Sequence, residues 1–521
     1  RESENDGFLR INGWVLQIVN NTVTAEQAGA KCDGVTDDYN ALYKVLNSSF
    51  NVSLSKGKYV TTKTVRFKAR SKVIKGFGEL DTVIEKTTNT LSGGGNRVIN
   101  SLTMIFDVDA VFSVEPAIGD WYVQNVDFSG FSLKYKAGMT TRGIGVYIPL
   151  VNQSIFKRIS TDNCSVGIKT VDCWMVTWDR VSCKADRPWV MGAQDTAWKG
   201  NGTSNTFLSC WAHSTVGEDN YAYDFYSMQY TVMNACGVDY VGLDGNPAGG
   251  VFRFINSTVT LIGCGTEKVH SYNFIHAQSS YVEIIGGSYQ QLYNKYKRAS
   301  PAWRTTNATF RLLTNARINL VGVELDVFYN SSTEPNCTAM AFVDDNSMFL
   351  WDKQTTNKVP IEEVKQSSAY TYTKLGVYYN ANSQIDIKTV TSDYNYSLGS
   401  TWGRANVILG GSKTQYLDKN IETTGYIQSC TKVLGNENLN SLRNLGDFTF
   451  SQSTPQYATT ANNYPEVGGA WILEQICFGN TQVNNYCMQR LTRVDTNIPV
   501  LYIRTAVWGG AFNTWNKVTI V

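Results

Sequence analysis

The sequence has almost no excess of charge of either sign. Its 46 Lys and Arg residues are balanced by 44 Asp and Glu residues, which gives a formal net charge of +2. A chain this close to neutral has no long-range field to attract nucleic acid or an anionic membrane surface. It also lacks an uninterrupted apolar run of the roughly 18 residues that a bilayer span needs. We therefore expect no nucleic-acid partner and no membrane insertion.

Prolines are also scarce, and the cysteines form no closely spaced pair. The 11 cysteines include no C-x-x-C pair, and only 10 prolines interrupt 521 residues. This cysteine spacing argues against a zinc site and against a compact disulfide framework. We expect free, buried thiols and no metal or cofactor.

The first residues, Arg1 to Asp6, are charged and polar, which predicts no signal peptide. Because the chain begins with Arg1 rather than Met, we expect that an N-terminal segment is missing or was processed away.

One amphipathic helix is predicted over residues 37–46, with Thr36 as its N-cap and Ala41, Leu42 and Val45 on its apolar face. Nearly everything after this helix is typical of short β-strands, in which β-branched and alternating residues are separated by Gly and Asn.

An internal period extends from about residue 150 to about residue 290. Similar apolar segments begin at Ile155, Thr177, Thr206, Thr231, Thr260 and Glu283, in steps of about 22 to 29 residues. Each step also holds a second apolar stretch and no helix. One such unit cannot bury its own apolar face, so the repeat predicts a solenoid, and a parallel β-helix fits it. We expect Cys210, Ala235 and Cys264 to stack inward on successive turns, and the helix to cover the open N-terminal end.

A motif around the helix carries a family resemblance. Residues 28–38 read AGAKCDGVTDD and are followed by Ala41-Leu42. This resembles the opening motif GAKGDGVTDD of the pectate-lyase-like β-helix superfamily. Cys32 stands where Gly is usual, which implies that the backbone there does not require positive φ.

The Asn-, Ser-, Thr- and Tyr-rich repeats and the long β-rich C-terminal part resemble bacteriophage tailspike depolymerases. Segments such as Tyr502-Ile503-Arg504-Thr505 and Trp515-Asn516-Lys517 resemble the small knob domain of phage fibres. The resemblance implies a homotrimer in the virion tail that cleaves a bacterial surface polysaccharide, capsular or O-antigen, outside the host cell. It also implies contact with other tail proteins through the preceding N-terminal part.

The expected fold is all-β: a right-handed, single-stranded parallel β-helix with an N-terminal capping helix and C-terminal β-rich domains. We expect a connector over residues 1–23 and the capped β-helix over residues 24–330. A β-rich intermediate or trimerisation region is expected over residues 331–430, and a knob-like module over residues 431–521.

Charged residues follow corresponding strands of the repeat. The first register after each strand contains Asp162, Lys184, His213, Val238, Glu267 and Gln290, and the next contains Asn163, Ala185, Ser214, Asp239, Lys268 and Gln291. We expect Lys184, His213, Asp239, Glu267 and Lys268 to share one outer stripe. Glycoside hydrolysis needs a pair of carboxyl groups, and Asp239 with Glu267 is the first candidate pair. Glu218, Asp219, Asp224 and Asp244 are substitutes, although Asp224 opposite Arg253 is more typical of a stabilising pair.

Two other readings stay open. In β-elimination on a uronic acid, Lys184, His213, Tyr240 and Lys268 would supply the base and the cation. A noncatalytic receptor-binding fibre would only hold the glycan. Aromatic faces stack on sugar rings, and Trp178 and Trp189 align with core positions. The candidate substrate-binding residues are Trp211, Tyr226, Tyr240, Tyr289, Tyr293, Trp303 and Arg304.

Overall fold

A computed structural model describes most of the first two thirds of the chain and parts of the rest. The described residues are 8–11, 14–193, 198–243, 246–291, 308–327, 339–344, 346–352, 355–357, 377–380, 384–387, 407–410, 432–433, 436–442, 446–452, 455–479, 485–496, 500–507 and 510–518. The chain divides into two units, residues 1–415 and residues 416–521. Within the described residues, no helix has the length and apolar character needed to cross a membrane.

The first unit is a right-handed parallel β-helix, as predicted. Each turn of the chain adds one strand to each of three parallel ladders, which we call the first, second and third sheets. The first sheet contains Thr22–Thr24, Asn51–Ser53, Val73–Lys75, Thr177–Asp179, Thr206–Leu208, Thr231–Asn234, Thr258–Ile262, Tyr281–Ile285, Arg317–Val321, Met348–Trp351 and Gln384–Ile387.

The second sheet follows the first in each turn. It contains Asp33–Asp37, Gly57–Thr61, Thr82–Lys86, Trp211–His213, Gly237–Val241, Gly265–Val269, Ser288–Gln291, Glu324–Val327 and Thr356–Asn357. The third sheet contains Val65–Ala69, Ala110–Pro116, Ile144–Tyr147, Tyr221–Tyr226, Ala248–Ile255, Ser271–Gln278, Ala308–Leu313, Ala339–Val343, Val377–Asn380 and Val407–Gly410.

Three long strands pass around the corners and belong to more than one sheet. Asp127–Tyr135 joins the first and second sheets, Ile155–Lys169 contributes to all three, and Ser182–Met191 joins the second and third.

Shorter elements complete this unit. A small parallel sheet contains Val123–Gln124, Leu150–Asn152, Asp172–Trp174, Asn201–Thr203 and Met228–Gln229. Two antiparallel hairpins pair Arg10–Ile11 with Trp14–Val15, and Asn96–Ile99 with Leu102–Ile105. The ladders go on past residue 330, where the sequence repeat is no longer visible, because the strands up to Val407–Gly410 still pair in parallel.

Aromatic residues fill the interior of the solenoid in stacked rows. Phe156 lies 4.4 Å from Trp178 between ring centroids, and Trp189 lies 5.8 Å from Tyr223. Trp178 and Trp189 have no exposed surface, which confirms their predicted core position. Each turn alone would leave these rings in water, so the stacking of turns buries them.

The inward cysteine row differs from the prediction by one residue. Because Trp211, Gly237 and Gly265 are register partners, the residues just before them, Cys210, Cys236 and Cys264, stack, and not Ala235. Each of the three thiols donates to a backbone carbonyl of the preceding turn, as Cys210 does to Trp178 at 3.2 Å. Ala235 instead has φ +50° and lies at the corner. The described free cysteines are Cys32, Cys164, Cys173, Cys183, Cys210, Cys236 and Cys264.

The capping helix covers Tyr39–Asn47 and buries its predicted apolar face, but it begins later than predicted. Its N-cap is Asp38, not Thr36, and the Asp38 carboxylate accepts from the amides of Lys31 and Cys32 at 2.7 and 3.2 Å. Cys32 has φ +56°, so the expectation that this backbone does not need positive φ was wrong. A short 3₁₀ helix, Glu26–Ala28, precedes this loop.

The second unit contains one mostly antiparallel sheet. Its strands are Lys432–Val433, Gly446–Gln452, Trp471–Gly479, Asn485–Arg493, Val500–Ala506 and Asn516–Val518, and its 3₁₀ helices are Leu439–Ser441 and Pro455–Tyr457. Cys487 is disulfide-bonded, which corrects the expectation of free thiols for this residue. Its register partner on the neighbouring strand is Cys477.

Candidate active site

One outer column of the second sheet carries the charged residues that the sequence singled out. Asp162, Lys184, His213, Asp239 and Glu267 are register partners on five successive turns. Neighbouring strands in a sheet lie about 4.8 Å apart. Four of the five predicted catalytic residues therefore form one row.

The predicted registers need two corrections. Cys164, and not Asn163, is the register partner of Ala185, because the pairing is irregular after Asp162. Asp239, and not Val238, occupies the column of His213 and Glu267, and Val238 has no exposed surface. The cause is a single shift in the repeat, because Thr206 pairs with Val232 rather than with Thr231. The same shift explains why Cys236 replaces Ala235 in the cysteine row.

Trp211 holds the Asp239 carboxylate in place. Its indole N–H donates to Oδ2 of Asp239 at 2.8 Å, and its ring centroid lies 4.6 Å from that of His213. The His213 ring in turn lies 4.8 Å from the ring of Tyr240. These four side chains form one continuous surface, half-buried at Trp211, His213 and Asp239 and exposed at Tyr240.

Lys268 closes this surface on the next turn. Its ammonium group donates to the hydroxyl of Tyr240 and lies 4.3 Å from the centroid of that ring. The hydrogen bond with Tyr240 raises the pKa of Lys268, so this exposed amine is a cation at neutral pH. Lys268 is thus the fifth predicted catalytic residue, and it lies beside the column rather than in it.

Two residues of the site have a backbone conformation that their side chains disfavour. Tyr240 has φ +54° and Lys268 has φ +53°. Left-handed conformations cost residues with a Cβ about 1 to 2 kcal/mol and are uncommon for bulky side chains. Many other corner residues of the solenoid, such as Arg180, Tyr230 and Ala235, have a similar φ, so this conformation is a property of the coil and is not specific to the site.

The imidazole of His213 is biased toward its neutral form. Partial burial and the nearby charge of Lys184 lower the pKa of His213 below its ordinary value of 6.5, against smaller opposite effects of Asp239 and Asp162. At pH 7 the ring can accept a proton, which is the state that a general base requires.

Two glycines form a floor beside the carboxylates, which sequence reasoning missed. Gly237 and Gly265 are register partners two residues before Asp239 and Glu267, on the same face of the sheet. A Cβ on Gly237 would lie 3.3 Å from Cδ1 of Trp211. The sequence does contain a signal for this floor, because each glycine stands two residues before an acidic residue.

The predicted substrate-binding residues do not all join this surface. Trp211 and Tyr240 do, whereas Tyr289 is 1% exposed and packs against Phe274 in the core, so its prediction was wrong. Side chains of a strand point alternately outward and inward, and Tyr289 occupies an inward position of Ser288–Gln291, in the core of the solenoid. The predicted residues Tyr293, Trp303 and Arg304 and the substitute Asp244 lie outside the described residues.

Tyr226 belongs to a second polar cluster, on the third sheet. There Asp224 has no exposed surface and accepts hydrogen bonds from Arg253 and Arg187. The register pairing of Asp224 with Arg253 confirms the stabilising pair that the sequence indicated. Of the other substitutes, Glu218 and Asp219 are exposed and lie in the loop before Tyr221–Tyr226.

No protein-family profile matches this sequence, and no curated protein does so either. Among solved structures, the gp42 tailspike of Acinetobacter phage vb_AbaP_AS12 is 38% identical, with a TM-score of 0.81 and coverage of 100% of this chain and 86% of that chain.

Two further tailspikes are much more distant. The tailspike protein of Acinetobacter phage vB_ApiP_P1 is 13% identical, with a TM-score of 0.42 and coverage of 99% of this chain and 92% of that chain. The enzymatically active domain of bacteriophage CBA120 tailspike protein 2 is 11% identical, with a TM-score of 0.38 and coverage of 97% and 76%. These two similarities are too weak to inform on function.

The similarity to the first tailspike covers the whole chain at the level of both sequence and fold. With 38% identity and a TM-score of 0.81, the chain belongs to the bacteriophage tailspike family.

Proposed function

We propose that this tailspike binds and depolymerises a bacterial surface polysaccharide, capsular or O-antigen, by endo-glycosidic hydrolysis with Asp239 and Glu267. The observation that carries the proposal is the pairing of these two carboxylates on adjacent turns, beside the glycine floor and the ring of Trp211. Hydrolysis of a glycosidic bond needs two such groups flanking the bond.

The surroundings of the two carboxylates favour different roles. The Trp211 N–H bond fixes the orientation of the Asp239 carboxylate, which suits a nucleophile or base. Glu267 is exposed and its carboxyl group would protonate the leaving oxygen as the C–O bond breaks. Adjacent turns separate the two groups by about 4.8 Å, close to the roughly 5 to 5.5 Å of enzymes that retain the anomeric configuration. Water would then release the glycosyl group from Asp239, with Glu267 as the base.

Sugar binding has support of its own at the same place. Trp211 offers a half-buried ring next to the carboxylates, and Tyr240 is 42% exposed. Aromatic faces of this kind stack on pyranose rings while polar edges bind hydroxyl groups. Tyr226, Tyr293, Trp303 and Arg304 stay predicted binding residues.

A lyase is the second candidate, and one observation favours it. The neutral imidazole of His213 lies beside Tyr240, and the cation Lys268 contacts the same tyrosine. Together with Lys184 these groups match the needs of β-elimination: a base for the C5 proton and a cation for the uronate carboxylate. A noncatalytic receptor-binding fibre is the third candidate.

The same proposal extends to the setting of the protein. We expect a homotrimer in the phage tail, joined to other tail proteins through an N-terminal part and acting outside the host cell. The limits of the connector, β-helix, intermediate region and knob stay predictions.

Digestion of purified polysaccharide from a susceptible strain separates the three candidates. Hydrolysis predicts new reducing ends, no absorbance near 232 nm and retained anomeric configuration in the first product. New ends with absorbance near 232 nm would instead mean a lyase, because elimination leaves an unsaturated uronate. Binding without new ends from any susceptible strain would leave only the fibre.

A further inference from the structure

The polar cluster on the third sheet contains more positive charge than its one buried carboxylate balances. We define this arginine cluster as Arg187, Tyr221, Asp224, Tyr226 and Arg253. Its two guanidinium groups and one carboxylate leave a net charge of +1. A partly buried site with an excess charge is costly unless it has a role or a partner.

The Asp224 carboxylate has no lone pair left to accept a further hydrogen bond from the arginines. Its Oδ1 accepts from Nε of Arg253 at 2.7 Å, and its Oδ2 accepts from Arg187 at 2.7 Å, from Arg253 at 2.5 Å and from the Tyr226 hydroxyl at 3.3 Å. Four donors therefore surround a carboxylate with about four lone-pair sites. Arg253 also donates to the Tyr226 hydroxyl.

The next positions of this column are basic as well. Asp224 is followed on successive turns by Arg253, His276 and Arg311, and no acidic residue interrupts the series. The exposed acidic residues of the preceding loop lie to one side, where Glu218 accepts from the Tyr272 hydroxyl at 3.2 Å. The column is thus basic over three successive turns.

Two tyrosines build walls around Arg253. Its guanidinium carbon lies 4.6 Å from the ring centroid of Tyr221 and 5.3 Å from that of Tyr226. Aromatic faces orient a guanidinium group without using its N–H donors. Arg187 keeps 32% of its side chain exposed, so a ligand can reach it.

The arginine cluster lies close to the candidate active site along the chain. Lys184 of the catalytic column and Arg187 belong to the same strand, Ser182–Met191. Three residues of extended chain span roughly 10 Å, which is a short distance on the scale of a polysaccharide. One glycan chain can therefore contact both places.

From these observations we propose that the arginine cluster is a subsite for the carboxylate of an acidic sugar, a uronic or ulosonic acid, in the polysaccharide that this tailspike cleaves. Arg187 and Arg253 bind the carboxylate, Asp224 fixes both guanidinium groups, the buried Tyr221 packs against Arg253, and Tyr226 lines the sugar. This inference rests on the proposed polysaccharide substrate and names its chemical class.

The test compares native polysaccharide with the same material after chemical reduction of its carboxyl groups, using wild-type protein and Arg187→Gln. Reduction is expected to weaken binding to wild type at least about 10-fold, and Arg187→Gln is expected to lose a similar factor with native polysaccharide only. Arg187→Lys, which keeps the charge, is expected to recover part of the loss. Arg180→Gln is the matched control, because this exposed arginine pairs with Asp179 on the first sheet.

Equal binding of native and reduced polysaccharide by wild type would overturn the acidic-sugar subsite while leaving depolymerisation intact. A loss in Arg187→Gln that is the same for both materials would also overturn it. Free glucuronate or N-acetylneuraminate is expected to compete with native polysaccharide, and competition by inorganic phosphate at the same concentration would contradict carboxylate recognition. Absence of any cleavage or binding of native material would instead defeat the proposed function itself.

Discussion

At the scale of single residues, the candidate site is an arrangement of aromatic rings that orient charged groups. Trp211 connects the two kinds of group, because its N–H donates to Asp239 while its ring contacts His213. A preorganised donor of this kind is most valuable when the carboxylate must keep one orientation during the reaction.

Trp211→Phe separates the two contributions of that side chain. The phenyl ring keeps a face for sugar stacking, but no donor remains for Asp239. We expect kcat to fall by roughly 10-fold or more with KM changed less than about threefold, since the lost bond orients the reacting carboxylate. Steady-state kinetics measure both, and a rise in KM alone would show that the indole only binds sugar.

The pKa of His213 offers a second test at this scale. Lys184 lowers this pKa, so Lys184→Gln is expected to raise it toward 6.5 and to move the acid limb of any His213-dependent rate to higher pH. The chain has only 3 histidines, and His213→Asn assigns the signal in a ¹³C-histidine NMR titration. Lys157→Gln, which removes an equal charge beside Asp179 on the first sheet, is expected to leave the titration unchanged. An unchanged or lower pKa in Lys184→Gln would contradict the site geometry.

At the scale of elements, the loop before the capping helix is held by the helix itself. Asp38 is 2% exposed and accepts from two amides of the loop, one of which belongs to Cys32 in its left-handed conformation. The acidic pair that ends the AGAKCDGVTDD motif therefore links the loop to the cap of the solenoid.

Asp38→Ala is expected to destabilise the first unit by about 2 to 3 kcal/mol, because it leaves two part-buried amides without acceptors. Denaturant unfolding followed by tryptophan fluorescence measures the loss. Asp81→Asn, which removes an exposed ion pair with Lys56, is the control and is expected to cost less than about 1 kcal/mol. A similar cost in both variants would contradict the role of Asp38.

The elements also show where sequence reasoning works and where it stops. The repeat predicted the solenoid because every turn must bury its apolar face against the next. It misplaced Ala235 and Val238 because Thr231 resembles Thr206 in type, whereas the register partner of Thr206 is Val232, one position later. Register follows the inward alternation of apolar side chains, which pairs the buried Phe207 with the buried Met233, and not the resemblance between two threonines. The prediction of Thr36 as the N-cap was also wrong. The helix begins after Asp38, whose carboxylate binds the amides of Lys31 and Cys32, and local sequence preferences do not reveal these bonds.

At the scale of the whole molecule, the solenoid brings residues that are one turn apart in sequence onto adjacent strands. Asp239 and Glu267 are 28 positions apart yet lie on adjacent strands. The same geometry aligns Asp224, Arg253 and His276 on the third sheet. The second sheet can therefore carry the proposed catalytic residues while the third sheet binds the proposed substrate.

The most direct test of the proposed catalytic pair is the turnover of Asp239→Asn and Glu267→Gln on polysaccharide that the wild type cleaves. Each variant is expected to lose at least about 10² in rate with an unchanged melting temperature. Glu283→Gln, on the first sheet, where the carboxylate accepts from Asn319, is expected to keep its activity. Near wild-type turnover in both carboxylate variants would contradict the account and move the active centre elsewhere.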